Sequence, residues 1–174
     1  MITTVPGTEI VLAPRNVALD VAGTLYISEF GGHRVRRLRS DGVLESVAGN
    51  GTPGFAGDGG ATRTAQLAYP ASIAFDSSGN LYIADSSNHR VRKVINGIIT
   101  IVLGTGEPGA DLPNQLNQPT SIAIDHAGNL YLADSGNQRI QLVSPSGGIS
   151  TLPGSGRDVA LDRAGKSPYF RYRQ

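Results

Sequence analysis

The most regular polar feature of the sequence is an acidic residue followed five positions later by an arginine. It occurs as Glu29 with Arg34, Asp85 with Arg90, and Asp134 with Arg139. If a short loop brings the two residues together, a charge-assisted contact holds that loop in place. Such an arginine could instead bind a ligand. Because every occurrence repeats the whole pair, we interpret the pairs as structural clasps.

A second set of carboxylates begins an Asp-x-x-Gly pattern. Its members are Asp20, Asp76, Asp125 and Asp162. A ring of such carboxylates could suit a cation. However, aspartate at the first and glycine at the fourth position is the preference of a type I turn. An aspartate there caps the turn by accepting backbone hydrogen bonds, and we favour this structural interpretation.

The sequence offers few ligands for a transition metal. It has no cysteine and only three histidines. His33 and His89 precede the arginine of two pairs, Gln138 occupies that place in the third, and His126 lies in a predicted turn. A zinc site needs three or four converging ligands. Because motifs for a serine nucleophile or a phosphate loop are also missing, we predict no catalytic residue, no metal and no cofactor.

Two arginine-rich segments raise the question of nucleic-acid binding. They read Arg34-Val-Arg36-Arg37-Leu-Arg39 and Arg90-Val-Arg92-Lys93, whereas the third reads Arg139-Ile-Gln141-Leu142. The net charge is only +1 and aromatic residues make up 6% of the chain. Long-range attraction for phosphates is therefore weak. We predict no nucleic-acid partner and keep RNA binding through these arginines as an alternative.

These residues recur because the chain contains an internal repeat. Three segments align without gaps from Pro14, Pro70 and Pro119, and a fourth begins at Arg157 and then departs. Each unit predicts four short strands, and the β-branched runs carry apolar residues on both faces, which is typical of sheets buried on both sides. Four-stranded units that need neighbours on both faces predict an all-β chain, a β-propeller built of antiparallel blades. The tyrosines of one repeat position, Tyr26, Tyr82 and Tyr131, are expected to pack between blades.

The predicted organisation is about three and a half blades. It comprises an isolated outer strand at Ile2–Val5 with its linker (1–13), blade 1 (14–48), a glycine-rich linker (49–69), blade 2 (70–103), a linker (104–118), blade 3 (119–152) and a partial blade 4 (157–174). A closed propeller needs at least about four blades. The chain is therefore expected to be a fragment of a longer propeller, or a homo-oligomer whose second copy closes the ring.

The repeated unit, with its Asp-Ser-x-Asn-His-Arg segment at 85–90, resembles the NHL repeat. The resemblance implies a propeller, usually of five or six blades. The composition of the chain is also similar to that of bacterial NHL proteins, many of which act outside the cytoplasm. The first ten residues lack the features of an export signal. Metal-dependent amidating lyases resemble the family, but their histidine-rich motifs have no clear match. A metal-dependent enzyme of lyase or lactonase type is therefore the alternative function.

The function that we predict is a non-catalytic interaction scaffold with a protein or small-ligand partner. In a blade, the linkers and the loops between the second and third strands share one rim, and long loops on rigid scaffolds usually carry binding. Phe55 is interpreted as a plug packed on that rim rather than as a binding anchor. The candidate binding residues are His33, Arg34, Phe55, Asp58, Asn88, His89, Asn137 and Gln138.

Overall fold

The structure is a computed structural model that describes residues 10–154 and 156–162, together with the backbone of residues 168–171. Its strands are β1 (Pro14–Leu19), β2 (Leu25–Glu29), β3 (Arg34–Leu38), β4 (Leu44–Ala48), β5 (Pro70–Phe75), β6 (Leu81–Asp85), β7 (Arg90–Ile95), β8 (Ile98–Leu103), β9 (Pro119–Ile124), β10 (Leu130–Asp134), β11 (Arg139–Val143), β12 (Ile149–Leu152), β13 (Asp158–Leu161) and β14 (Pro168–Arg171). Short 3₁₀ turns cover Ser86–Asn88 and Ser135–Asn137. No helix of the described residues is long and apolar enough to span a bilayer.

The strands form antiparallel sheets in chain order, which we call blades 1 to 4. Blades 1 to 3 are β1–β4, β5–β8 and β9–β12, and blade 4 is the pair β13–β14. The Asp-x-x-Gly turns close the first hairpin of each four-stranded blade. In blade 1 the Gly23 N–H donates to the Asp20 carbonyl at 2.9 Å, and its φ of +80° is one that glycine adopts without strain.

The blades pack face to face around apolar clusters. Ile73 and Ile83 of blade 2 are buried together with Val35 of blade 1, and similar clusters join blade 2 to blade 3 and blade 3 to blade 4. The Tyr26 ring of blade 1 meets the Phe75 ring of blade 2 edge-on, with centroids 4.8 Å apart. The prediction of an all-β chain of antiparallel four-stranded blades is confirmed.

A polar side chain on the first strand of each blade also reaches the next blade. The backbone N–H of a residue on the first strand of the next blade donates to this side chain. The distances are 3.0 Å for Ile73 N to Asn16 Oδ1, 3.2 Å for Ile122 N to Ser72 Oγ, and 3.3 Å for Val159 N to Ser121 Oγ. The blades are therefore joined by a repeated hydrogen bond as well as by apolar packing.

Blade 4 keeps the register of the full blades. Ala160 pairs with Tyr169, as Ala18 pairs with Tyr26 in blade 1 and Ala74 with Tyr82 in blade 2. The departure from the repeat seen in the sequence reflects one extra residue between the turn aspartate and the tyrosine, since Asp162 precedes Tyr169 by seven positions and Asp125 precedes Tyr131 by six. Pro168 is the first residue of β14, a position that proline tolerates in a strand. The strand predicted at Ile2–Val5 lies outside the described residues.

Candidate binding rim

The linkers 49–69 and 104–118 lie on the same edge of the blades as the loops 30–33, 86–89 and 135–138. We call this edge the linker rim. Each linker is tied to the loop of the blade that follows it. Asn88 Nδ2 donates to the Gly54 carbonyl, and Asn137 Nδ2 donates to the Gly109 carbonyl, both at 2.7 Å. Two of the predicted binding asparagines thus hold linkers in place.

The acid at the end of the second strand completes each of these anchors. Asp134 accepts from the Asn117 N–H through one carboxylate oxygen and from Asn137 Nδ2 through the other, both at 2.7 Å. Asp85 has the same two kinds of partner, the Ala68 N–H and Asn88 Nδ2. Burial raises the pKa of the Asp85 carboxyl to about 6, although its hydrogen-bond donors favour the charged form. The aspartate and the asparagine of the Asp-x-x-Asn segment therefore both bind backbone groups of the linker.

Two of the three predicted acid–arginine pairs meet in the structure. Arg34 Nε lies 2.6 Å from Glu29, and Arg139 Nε lies 2.8 Å from Asp134. The prediction for blade 2 is wrong, because Arg90 turns away from Asp85 toward the linkers. Its guanidinium donates to the Thr105 carbonyl at 2.7 Å and stacks on Phe55, with its central carbon 3.7 Å from the ring centroid.

The arginine that pairs with Asp85 is Arg92, two positions after Arg90 on β7. Arg92 lies 3.4 Å from Asp85 and 3.1 Å from Asp58, and Arg36 Nε lies 3.0 Å from Glu29. Arg36 and Arg92 are fully buried. Since both are enclosed in ion pairs, they cannot contact phosphates, and the RNA alternative loses two of its arginines. The sequence does show that Arg36 and Arg92 occupy the same repeat position, which is Gln141 in blade 3.

The linker residues Phe55 and Asp58 fasten the linker to blade 2. Phe55 is half-buried, with the guanidinium carbon of Arg90 at 3.7 Å and that of Arg92 at 4.9 Å from its ring centroid. Asp58 forms the ion pair with Arg92 described above. The ring therefore lies against the rim as a plug, and the two guanidinium groups add cation–π attraction to its packing.

The loop histidines connect neighbouring blades. His33 and His89 adopt left-handed backbone conformations, with φ near +50°. The Nδ1 atom of His33 accepts from the Tyr69 N–H at 3.2 Å, and that of His89 from the Gln118 N–H at 3.1 Å. An accepting Nδ1 requires a neutral imidazole. Burial lowers the pKa of His33, and burial together with Arg90 lowers that of His89.

These histidines predict a pH-dependent contribution to stability. A lowered folded-state pKa means stability that is complete above the unfolded value of about 6.5 and is lost as the pH falls below it. The variant carrying His33→Gln and His89→Gln cannot titrate there, and Gln138 shows that glutamine adopts the same backbone conformation, with φ +53°. We expect urea denaturation to show a smaller loss of stability in this variant between about pH 7.5 and about pH 5.5. The raised pKa of Asp85 acts in the opposite direction and is common to both proteins, so equal losses would contradict the prediction.

The turn aspartates accept hydrogen bonds within their own turns. Asp20 Oδ1 accepts from the N–H groups of Ala22 and Thr24 at 2.9 and 2.8 Å, and Asn80 and Asn129 make the matching contacts to Asp76 and Asp125. Burial opposes ionisation of Asp20, but these hydrogen bonds keep its pKa below the ordinary value. Within residues 10–154 and 156–162, no three histidine, aspartate or glutamate side chains converge as metal ligands.

The rim also carries an aromatic patch formed by Phe30, His33, Tyr69 and Arg15, of which only His33 was among the binding residues predicted from the sequence. The Tyr69 ring lies 5.0 Å from the Phe30 ring and 4.5 Å from the His33 ring, centroid to centroid. The Arg15 guanidinium lies 4.8 Å from the Phe30 centroid, and Tyr69 is 40% exposed. The available signal is a break in the repeat. Blades 2 and 3 have Ser86 and Ser135 at the Phe30 position, and Gln118 stands at the Tyr69 position.

A cleft of about 420 Å³ opens between blades 2 and 3. Its lining is both polar and apolar, since the end of β8 contributes aliphatic side chains and Tyr82, Lys93, Asn114 and Ser144 contribute polar groups. The Lys93 Nζ lies 3.3 Å from Asp76 and 4.7 Å from the Tyr82 ring centroid. The Lys93 ammonium is therefore engaged by a carboxylate and by an aromatic ring of its own blade.

The successive packed blades define the chain as a segment of a β-propeller. The family model described as NHL repeat matches residues 67–94 and 116–141. Two segments of the chain are thus similar to the NHL repeat, as the resemblance in its sequence indicated. Both matches begin within a linker and include the loop that anchors it.

Similar proteins of known sequence are much longer than this chain. Teneurin-m of Drosophila melanogaster is 36% identical over 95 residues, which cover 47% of this chain and 3% of that protein. The chloroplastic protein Suppressor of Quenching 1 of Arabidopsis thaliana is 33% identical over 92 residues, which cover 51% of this chain and 8% of that protein. The chain therefore spans less than a tenth of the length of these relatives.

Solved structures share the fold at low sequence identity. A virginiamycin B lyase from Staphylococcus aureus superposes with a TM-score of 0.64 at 15% identity, covering 95% of this chain and 52% of that chain. A chain of the nidogen/laminin complex superposes with a TM-score of 0.65 at 18% identity, covering 87% and 54%. These likenesses confirm the predicted β-propeller.

Proposed function

We propose that the chain is a non-catalytic interaction scaffold that binds a protein partner on the linker rim. The observation that carries this proposal is the aromatic patch of Phe30, His33, Tyr69 and Arg15. Aromatic residues and arginine are enriched in the energetic centres of protein interfaces. The patch stands on a rigid base, because the Tyr69 backbone N–H is bound by His33 and the next residue, Pro70, begins β5.

The use of the charged rim residues supports a scaffold rather than an enzyme. Glu29, Asp85 and Asp134 are fully buried and bind arginines, asparagines or linker backbone. Asp85 and Asp134 hold linkers in position and Glu29 pairs with arginines of its own blade, which are structural tasks. The likeness to a lyase and to a gluconolactonase-like protein, at 15% and 18% identity, is a likeness of fold and lends no residue to the alternative enzymatic function. In the proposed scaffold, a second copy of the chain completes the ring.

The patch predicts a loss of binding in a Tyr69→Ala variant. Peptides selected from a random phage-displayed library on the immobilised wild-type protein are expected to bind the variant about tenfold or more weakly, since an interface aromatic contributes about 2 kcal/mol. Leu112→Ala is the matched control, because Leu112 is 53% exposed on the other linker of the rim. Peptides that bind both variants as well as the wild-type protein, or a library that yields no binder, would contradict the proposal.

A further inference from the structure

One end of the blade stack presents an apolar sheet face to solvent. This blade 1 end face consists of Val17, Leu19, Leu25 and Ile27, which are cross-strand partners on β1 and β2. Val17 and Leu19 are 58% and 61% exposed. The residues at the repeat position of Val17 are Ile73 and Ile122, which are 3% and 5% exposed. The Val17 position is therefore buried in blades 2, 3 and 4, where Val159 is 5% exposed, and Phe75 and Ile124 at the Leu19 position are partly buried.

In blades 2 and 3, these positions pack against specific side chains of the preceding blade. In the cluster between blades 1 and 2, the side chains that approach from blade 1 include Ala18 and Tyr26. Between blades 2 and 3 they include Ala74 and Tyr82. The blade 1 end face is thus complementary to an alanine–tyrosine strand pair on a preceding blade.

Blade 4 carries this pair in the same register at the opposite end of the stack. Ala160 pairs with Tyr169 across β13 and β14, and Ala160 is exposed. Asp158 occupies the repeat position of Asn16, Ser72 and Ser121, whose side chains accept a backbone N–H from the next blade. By the same repeat relation, the Asp158 carboxylate would accept a hydrogen bond from the backbone N–H of Val17 in a following blade 1.

We propose that a second copy of this chain docks its blade 4 onto the blade 1 end face, head to tail. The inference rests on the proposed completion of the ring. A head-to-tail contact forms a closed assembly when its rotation returns to the start. Two copies supply about seven blades, which lies within the range of four to eight found in closed propellers. The contact buries the apolar face in the way that each internal blade interface buries its own.

Light scattering on a sizing column tests the assembly. The wild-type chain is expected at twice its mass of 18.1 kDa, and the variant with Val17→Asp and Leu19→Asp at the mass of one chain. Val43→Asp is the matched control, because Val43 is 50% exposed in the outer hairpin turn of blade 1, and it should remain dimeric. Both variants should keep the wild-type circular dichroism spectrum, since the altered residues are exposed in the single chain. A monomeric wild type, or a dimer that survives the double substitution, overturns the proposal.

Cysteine cross-linking tests the direction of the contact, on a chain that contains no cysteine. A mixture of the Val17→Cys and Asp158→Cys proteins should form a disulfide-linked dimer on oxidation, whereas either protein alone should not. Cross-linking of Val17→Cys with itself indicates a head-to-head contact and overturns the proposal. Peptide binding separates this result from the rim function. A monomeric Val17→Asp, Leu19→Asp protein that still binds the selected peptides leaves the scaffold proposal intact, and a dimer that binds none refutes only that function.

Discussion

Replacement of Asp134 by alanine is expected to lower the free energy of unfolding by about 3 kcal/mol or more. The carboxylate is fully buried and accepts three hydrogen bonds of 2.7 to 2.8 Å, from the Asn117 N–H, Asn137 Nδ2 and Arg139 Nε. Alanine would leave these three partly buried donors without their acceptor. Each unsatisfied buried donor costs about 1 to 3 kcal/mol.

Urea denaturation followed by circular dichroism measures this effect. Asp111→Ala is the matched control, since Asp111 is exposed on the linker that Asp134 anchors, and it should change stability by less than about 0.5 kcal/mol. Hydrogen exchange gives the local result, because the Asn117 amide loses its acceptor and should exchange faster in Asp134→Ala. Equal stability of the two variants would show that the anchor does not hold the linker.

The second large loss of stability is expected for Gly104→Ala, at the first residue of the linker 104–118, directly after β8. Gly104 has a φ of +98°. An added Cβ would clash with the His89 carbonyl oxygen and lie 2.8 Å from Cα of Arg90. Both are backbone atoms, one at the end of the loop 86–89 and the other in the first residue of β7, so neither can move without displacing the loop from its strand. We expect a loss of about 3 kcal/mol or more from conformational strain and overlap together.

A matched glycine in the same blade separates the two contributions. Gly97 has a φ of +79° with no atom within 4 Å of an added Cβ, so Gly97→Ala reports conformational strain alone, about 1 to 2 kcal/mol. The variants are compared by urea denaturation at a common pH. If Gly104→Ala were no less stable than Gly97→Ala, the close contact between linker and loop would be disproved.

The strands and turns of this protein follow from local sequence. The repeat beginning at Pro70 contains a β-branched strand, an Asp-x-x-Gly turn and a Leu-Tyr strand, and each of these depends on residues fewer than about ten positions apart. The acid–arginine clasps of blades 1 and 3 are equally local, because a five-residue spacing across a tight hairpin brings Glu29 to Arg34 and Asp134 to Arg139. The similarity to the NHL repeat, the all-β class and the four-stranded antiparallel blades could therefore be predicted.

The tertiary structure decided which partners these residues take. Phe55 lies on a linker more than 30 positions before Arg90, and its ring stacks on the Arg90 guanidinium. The arginine that pairs with Asp85 is Arg92. Phe30 and Tyr69 belong to different blades and meet only because the blades stack. The sequence by itself determined the blades, since turn and strand preferences act over a few residues. The packing of linkers on blades, which buries charges and brings distant rings together, decided the arrangement of the linker rim. Side chains far apart in sequence compete there for the same space and the same hydrogen bonds.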